Sequence, residues 1–203
     1  MAQTTPIAVL ISGRGSNFVA LAEAIGRGEI PARIVLVVSN EPDAAGLAKA
    51  RRMGLATAAV PHRDFAGRRE HETAVLAALD EAGAEWVCLA GYMRLLSERF
   101  VHRYERRMLN IHPSLLPAFP GLDVQRRTLE HGVKVSGCTV HLVDAGLDSG
   151  PIVVQRSVPV LDSDDADALA ARILEQEHRA YPEALRRLLT QDWRLDGRRV
   201  VFT

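Results

Sequence analysis

The fold class can be inferred from residues 7–17, which read Ile7-Ala8-Val9-Leu10-Ile11-Ser12-Gly13-Arg14-Gly15-Ser16-Asn17. Five apolar residues come first, three of them β-branched, and such a run favours a strand that is buried on both faces. A glycine-rich turn follows, and Ser16 and Asn17 are typical of the start of a helix. This order of strand, turn and helix is the first unit of an α/β protein.

In the rest of the chain, apolar β-branched runs alternate with segments in which apolar residues recur with a helical period. The predicted strands are residues 7–12, 33–39, 56–60, 86–90, 108–112, 135–142 and 152–160. The predicted helices are residues 17–25, 44–53, 67–82, 97–105 and 124–131, followed by a long helix from near Asp165 in which Pro182 is expected to cause a kink or an end. The alternation predicts an α/β fold with an open, mostly parallel, twisted sheet flanked by helices.

The alternation fails after Leu142. A turn-rich loop, a β-rich run, a helix and a hairpin around Asp196-Gly197 are predicted there. We therefore expect one domain over residues 1–203, with a nucleotide-binding half of about residues 1–105 and a second half of about residues 106–203 that completes the site.

Composition excludes several function classes. The 203 residues carry 25 Lys and Arg against 25 Asp and Glu, and this zero net charge argues against binding to nucleic acid or to an anionic membrane surface. No run approaches the roughly 18 apolar residues of a membrane span, and residues 1–6 do not resemble a signal peptide. Cys88 and Cys138 lie inside apolar runs, so we expect reduced, buried thiols and a cytoplasmic protein.

The glycine-rich turn can offer backbone N–H groups and the positive end of a helix to a phosphate. Phe18 occupies the position of the third glycine of the dinucleotide fingerprint, and the chain has no Gly-Lys-Ser/Thr. This pattern favours a small phosphate monoester over NAD or ATP. A turn and helix cap without any ligand remains an alternative.

Asn110 and His112 are two residues apart in a predicted strand, so both side chains face the same side at the strand's carboxyl end. Pro113 ends the strand. An amide and an imidazole can together stabilise an oxyanion and donate a proton, although the pair could also be structural. If the loop that contains Asp148 reaches them, its carboxylate would raise the pKa of the neighbouring imidazole, whereas Asp and Gly are also ordinary turn residues.

Other polar residues have several interpretations. Glu177 lies on the apolar stripe of the last long helix, where it would form either a structural ion pair or a ligand contact. The charged sequence contexts of four histidines predict solvated side chains: His62, His71, His102 and His131. The context of His178, beside Glu177, does not decide whether its side chain is exposed. His141 belongs either to the core or to the residues that support the site. The chain lacks H-E-x-x-H, C-x-x-C and G-x-S-x-G motifs, so neither a zinc site nor a serine nucleophile is predicted.

Taken together, the motifs at residues 13–17, 110–117 and 147–151 resemble those of the phosphoribosylglycinamide formyltransferase family, in the same order and spacing. The resemblance runs from about Ile7 to Pro182. It implies a Rossmann-like fold and transfer of a formyl group from 10-formyltetrahydrofolate, as co-substrate, to the amine of glycinamide ribonucleotide in purine biosynthesis. It implies no metal, no partner beyond these small molecules, and a monomer or weak homodimer.

The resemblance also implies three groups of site residues. The implied catalytic residues are Asn110, His112 and Asp148. For glycinamide ribonucleotide, Gly15, Ser16 and Asn17 are implied to hold the phosphate, and Glu177 to meet the ribose or the amine. The implied folate contacts are Arg68, Met93, Arg94, Leu95, Leu96, Asn110, Asp144, Ala145, Gly146, Leu147 and Asp148. Two positions depart from the family pattern: residue 118 is Ala where many relatives have Lys, and residue 14 is Arg where a smaller polar residue is common.

The implied reaction is direct transfer through a tetrahedral intermediate that Asn110 and protonated His112 stabilise. The first alternative is a formyltetrahydrofolate hydrolase, which resembles this chain in the same three residues but transfers the formyl group to water. A methionyl-tRNA formyltransferase and a non-catalytic nucleotide sensor are further alternatives; the first adds a nucleic-acid-binding domain, and the second has no need of all three residues.

Overall fold

The computed structural model describes residues 4–203; residues 1–3, the beginning of the predicted domain, lie outside them. The chain divides into two compact units, one ending at Leu109 and the other running from Asn110 to Thr203.

The first unit is a parallel sheet with connecting helices. Its elements are β1 (Thr5–Ile11), α1 (Ser16–Gly26), β2 (Ala32–Ser39), α2 (Ala45–Arg52), β3 (Thr57–Ala59), a short 3-10 turn (His62–Asp64), α3 (Arg68–Glu81), β4 (Trp86–Leu89) and α4 (Glu98–Arg103). The strand order is β3-β2-β1-β4, and every pairing is parallel. Residues 7–11 are fully buried, because β1 has a strand on each side and helices over the sheet.

The second unit begins within β5 (Met108–His112), which crosses the boundary. Its further elements are α5 (Val124–Glu130), β6 (Val135–Leu142), β7 (Ile152–Pro159), α6 (Ala166–Thr190), β8 (Trp193–Asp196) and β9 (Arg199–Phe202), with the strand order β5-β6-β7-β9-β8. β6 and β7 are antiparallel, β9 is parallel to β7, and β8 and β9 form the hairpin predicted at Asp196-Gly197.

These elements confirm the α/β class and the mostly parallel sheet flanked by helices. The prediction that α6 could end at Pro182 is wrong, because the helix continues to Thr190. Tyr181, Ala184 and Leu185 are fully buried where α6 packs on β6 and β7, and this packing offsets the backbone hydrogen bond that proline removes.

Two further sequence expectations concern the interior and the membrane. Cys88 and Cys138 are free thiols and are buried, as predicted. Within residues 4–203, none of the helices combines the length and the apolar character needed to cross a membrane.

Candidate active site

β5 places two polar side chains at its carboxyl end. His112 is buried and Asn110 is partly buried, in a strand whose other residues are apolar. The loop between β6 and β7 brings in Asp148, whose backbone is left-handed with φ 48°. Few non-glycine residues adopt this region, in which aspartate is more frequent than most, and such residues often lie at functional positions.

The structure brings Asn110, His112 and Asp148 together. One carboxylate oxygen of Asp148 lies 3.4 Å from His112 Nδ1, and the other lies 3.5 Å from Asn110 Nδ2. The backbone N–H of Gly121 donates to Asp148 Oδ2 at 2.8 Å. Only 7% of the His112 side chain and 11% of the Asp148 side chain are exposed, so their charges are poorly screened by water.

The partners of the His112 ring indicate where its hydrogens lie. Nε2 is 2.9 Å from the carbonyl oxygen of Phe119, which can only accept, so this nitrogen donates. Nδ1 faces the Asp148 carboxylate, which also accepts. Both ring nitrogens of His112 therefore face oxygen atoms that accept hydrogen bonds.

His141 supports Asn110 from the adjacent strand β6. Its Nδ1 donates to the carbonyl of Leu142 at 2.9 Å, and its Nε2 accepts from Asn110 Nδ2 at 3.1 Å. Burial lowers the pKa of His141 below its usual value, against the opposing effects of the Leu142 carbonyl and the Asp148 charge. A neutral His141 fixes the orientation of the Asn110 amide, with its NH₂ group toward Asp148.

The loop of residues 144–148 is shaped by its first aspartate. Asp144 Oδ1 accepts from the N–H of Gly146 at 3.1 Å and from Ser149 Oγ at 2.7 Å. Ala145, Gly146 and Leu147 are exposed. The predicted folate contacts of this loop therefore directly precede Asp148 in a fixed turn.

In the first unit, the glycine-rich turn leads into α1 as predicted. Gly15 precedes the helix with φ 66°, and α1 begins at Ser16 with no side-chain cap. The turn is held by the N–H of Gly46, which donates to the Gly13 carbonyl at 3.0 Å. The first N–H groups of a helix have no partner inside it, and such groups can donate hydrogen bonds to an anion.

The other predicted folate residues of the first unit lie on α3 and on the segment before α4. Arg68 is the first residue of α3, and its side chain is half-exposed. Met93 and Leu95 are each 64% exposed, although both are large and apolar. The apolar surface of these two side chains is therefore accessible.

Glu177 is buried on α6 in the second unit. Burial raises the pKa of the Cys138 thiol to about 12, and the negative charge of Glu177 adds to this effect. Cys138 is consequently an inert core residue. Glu177 is a buried carboxylate, as its place on the apolar stripe of the predicted helix indicated.

Sequence reasoning missed or misplaced several groups. The Phe119 carbonyl and the Gly121 N–H contact the site through the backbone, which leaves no side-chain signal in the sequence. Glu72 was also missed, although it is a buried carboxylate on α3 that accepts from the N–H of Ser97 at 2.8 Å.

His71 was predicted to be solvated, and this is wrong: it is 2% exposed and its Nε2 contacts the Val60 carbonyl at 3.0 Å.

Within residues 4–203, no three His, Cys, Asp or Glu side chains are arranged to hold a metal ion. The fold and the cluster define an α/β protein with an amide, an imidazole and a carboxylate grouped at a strand end. The chain belongs to the formyl transferase family, which matches residues 5–185.

Individual relatives agree with this assignment. The chain is 42% identical to the phosphoribosylglycinamide formyltransferase of Escherichia coli (strain K12), over 95% of this chain and 88% of that protein. It is 48% identical to the trifunctional purine biosynthetic protein adenosine-3 of Drosophila melanogaster, but the match covers 90% of this chain and only 14% of that longer protein. The structure of glycinamide ribonucleotide transformylase 1 from Symbiobacterium toebii matches with a TM-score of 0.96 and 46% identity, covering 100% of this chain and 95% of that one.

Proposed function

We propose that this protein transfers the formyl group of 10-formyltetrahydrofolate to the amine of glycinamide ribonucleotide, giving formylglycinamide ribonucleotide and tetrahydrofolate in purine biosynthesis. The observation that carries the proposal is the convergence of Asn110, His112 and Asp148 in one cluster. The names of the relatives support the choice of substrates.

Asn110 and His112 supply the oxyanion donors. Their contacts to Asp148 from Asn110 Nδ2 and His112 Nδ1 measure 3.5 and 3.4 Å, longer than a good hydrogen bond. A formyl oxygen placed beside these two nitrogens can accept from both. As the amine attacks the formyl carbon, the negative charge that develops on this oxygen is stabilised by donors already in place.

Asp148 and His141 keep the donors ready. The Asp148 carboxylate faces His112 Nδ1, and the neutral His141 ring holds the Asn110 amide. The tetrahedral intermediate then collapses: the bond from the formyl carbon to the folate nitrogen breaks, and a proton passes from the attacking amine to that nitrogen through water.

The nucleotide substrate has a phosphate monoester and a ribosyl glycinamide. Gly15, Ser16 and Asn17 at the start of α1 would hold the phosphate through backbone N–H groups and the helix dipole. The buried carboxylate of Glu177 would accept from the ribose or the amine. The zero net charge of the chain is compatible with phosphate binding, because a phosphate monoester is small and can be bound by a few neighbouring groups.

The folate has a flat ring and an anionic tail. The exposed side chains of Met93 and Leu95 suit an apolar ring face, and Arg68 carries the positive charge that a carboxylate tail requires. Arg94, Leu96 and the loop of residues 144–148 would complete these contacts. We propose that both substrates are bound by a cytoplasmic monomer or weak homodimer.

The assay incubates the purified chain with 10-formyltetrahydrofolate, with and without glycinamide ribonucleotide, and follows the release of tetrahydrofolate. Release only when the nucleotide is present is the expected result. Equal release without it would instead support the formyltetrahydrofolate hydrolase.

Two substitutions test the roles in the cluster. His112→Ala and Asp148→Asn should each lower kcat by about 10²–10³-fold, since each removes or disorients an oxyanion donor. His102→Ala is the matched control, because His102 is an exposed histidine on α4. Near-normal turnover in both site variants at saturating substrates would contradict the assignment.

A further inference from the structure

The loop of residues 119–122 supplies two backbone groups to the cluster. The Phe119 carbonyl accepts from His112 Nε2 at 2.9 Å, and the Gly121 N–H donates to Asp148 Oδ2 at 2.8 Å. The orientations of the imidazole and the carboxylate therefore both depend on the path of this short backbone segment.

This 119–122 loop adopts a conformation that its own residues disfavour. Phe119 is left-handed, with φ 53°, which is costly for a residue with a bulky side chain. Leu122 is 73% exposed, so it gives the loop little support from apolar burial. A strained backbone of this kind persists only when its surroundings fix it.

Arg127, on the last turn of α5, provides that support. Its Nη1 donates to the Pro120 carbonyl at 2.6 Å and to the Leu122 carbonyl at 3.3 Å. Its guanidinium carbon lies 5.8 Å from the centre of the Phe119 ring, within range of a cation–π interaction. One side chain thus contacts three of the four loop residues.

A neighbouring histidine reinforces the same arrangement. The His131 ring meets the Phe119 ring edge-on, with the centres 5.2 Å apart, and His131 Nδ1 contacts the carbonyl of Arg127 at 2.8 Å. The Phe119 ring therefore contacts two side chains of the α5 region, Arg127 and His131. By contrast, Arg126 forms ion pairs on the surface, with Glu130 at 2.9 Å and with Asp123 at 3.3 Å.

We propose that Arg127 is a positioning residue for His112 and Asp148, acting through the 119–122 loop. It holds the Phe119 carbonyl opposite His112 Nε2 and the Gly121 N–H opposite the Asp148 carboxylate. Its effect on turnover rests on the proposed function, whereas its effect on the His112 ring is independent of that function.

The test compares the full-length variants Arg127→Met, Arg127→Lys and Arg126→Met. Methionine keeps an unbranched apolar side chain but has no donors, and lysine keeps the charge and one donating group. We expect Arg127→Met to lower kcat on the order of 10-fold or more, because small displacements of catalytic groups are costly. KM for glycinamide ribonucleotide should not change, Arg127→Lys should recover part of the loss, and Arg126→Met should match the parent protein.

The second readout is the ¹⁵N NMR chemical shift of His112 Nε2 in the protein without substrates. It should move in Arg127→Met and stay unchanged in Arg126→Met, since only the first weakens the bond to the Phe119 carbonyl. A moved NMR signal with normal kcat would support the positioning role and contradict the catalytic role proposed for His112.

Three results would overturn the proposal. The first is Arg127→Met with the same kcat and the same His112 signal as Arg126→Met. The second is a lower urea midpoint with neither property changed, which would make Arg127 merely structural. If Arg127→Met does not fold, Arg127→Lys becomes the deciding variant. The third result that would overturn the proposal is then a kcat and a His112 signal in Arg127→Lys that equal those of the parent protein.

Discussion

Two glycines touch at the entrance to α1, and neither tolerates a side chain. A Cβ on Gly15 would lie 2.9 Å from the Gly46 Cα, and Gly15 also has a positive φ. A Cβ on Gly46 would lie 2.4 Å from Ile11 Cδ1 and 3.1 Å from the Gly13 carbonyl oxygen. Because Ile11 is fully buried, it has no free space into which to move.

We therefore expect Gly46→Ala to lower the free energy of unfolding by about 1–3 kcal/mol, the usual cost of overpacking. It should also displace the glycine-rich turn and raise KM for glycinamide ribonucleotide severalfold. Urea unfolding and steady-state kinetics measure the two effects.

Gly26→Ala is the matched control, because a Cβ on this last residue of α1 would meet nothing within 4 Å. It should leave stability unchanged or slightly higher. Equal effects of the two substitutions would show that the contact between the glycines does not matter.

At the residue scale, the sequence was sufficient to predict polar side chains that lie on one strand of the site. It was not sufficient to predict backbone groups that contact the site. Asn110 and His112 follow from the two-residue period of a strand. The Phe119 carbonyl could not be predicted, since any residue offers a carbonyl and its direction depends on an unusual φ. His71 was misassigned because charged neighbours in the sequence do not reveal which helix face is buried.

At the element scale, Glu72 ties α3 to the segment before α4. Its two carboxylate oxygens accept from the backbone N–H and the hydroxyl of Ser97, which is the N-cap of α4. Arg68 lies 3.9 Å from the same carboxylate. Glu72 therefore contacts Arg68, a proposed folate residue, and Ser97, which directly follows the proposed folate residue Leu96.

Glu72→Gln replaces one acceptor with a donor opposite Ser97, so we expect a loss of about 1–3 kcal/mol in the free energy of unfolding. KM for 10-formyltetrahydrofolate should rise while KM for glycinamide ribonucleotide stays constant. Urea unfolding and initial-rate kinetics provide the measurements.

Glu70→Gln is the control, since Glu70 is an exposed glutamate on α3, two residues before Glu72. Identical kinetics in both variants would argue against a link between Glu72 and the folate segment.

Regular elements with clear periodicity were predicted almost to the residue. The strand predicted at 135–142 is β6, and the helix predicted at 67–82 is α3, residues 68–81. The end of α6 was not predictable from Pro182, because the local cost of a proline is opposed by packing of the whole helix on β6 and β7. The parallel pairing of β9 with β7 joins distant segments and has no local signal.

At the scale of the whole molecule, two buried histidines make stability depend on pH. Burial lowers the pKa of both His71 and His141 below the usual value of 6.5. As the pH falls through about 6.5, the unfolded chain takes up protons that the folded chain resists, so the unfolded state is favoured. Stability should therefore decrease as the pH falls below this value.

His71→Gln should weaken this dependence, because glutamine does not titrate and can still donate to the Val60 carbonyl. We expect a smaller difference in the free energy of unfolding between about pH 7.5 and about pH 5.5 than in the parent protein. Urea titrations at both pH values measure it. His102→Gln, a change at an exposed histidine, should keep the full difference.

The position of β1 between β2 and β4 has a consequence for biosynthesis. β1 is complete at Ile11, but its partner β4 begins only at Trp86. At about 5–20 residues per second, the ribosome needs on the order of 4–15 s to make the intervening residues. During that interval one edge of this apolar strand stays unpaired in the nascent chain, and an open apolar edge invites aggregation. Conditions that slow translation therefore lengthen the period in which the newborn protein depends on chaperones.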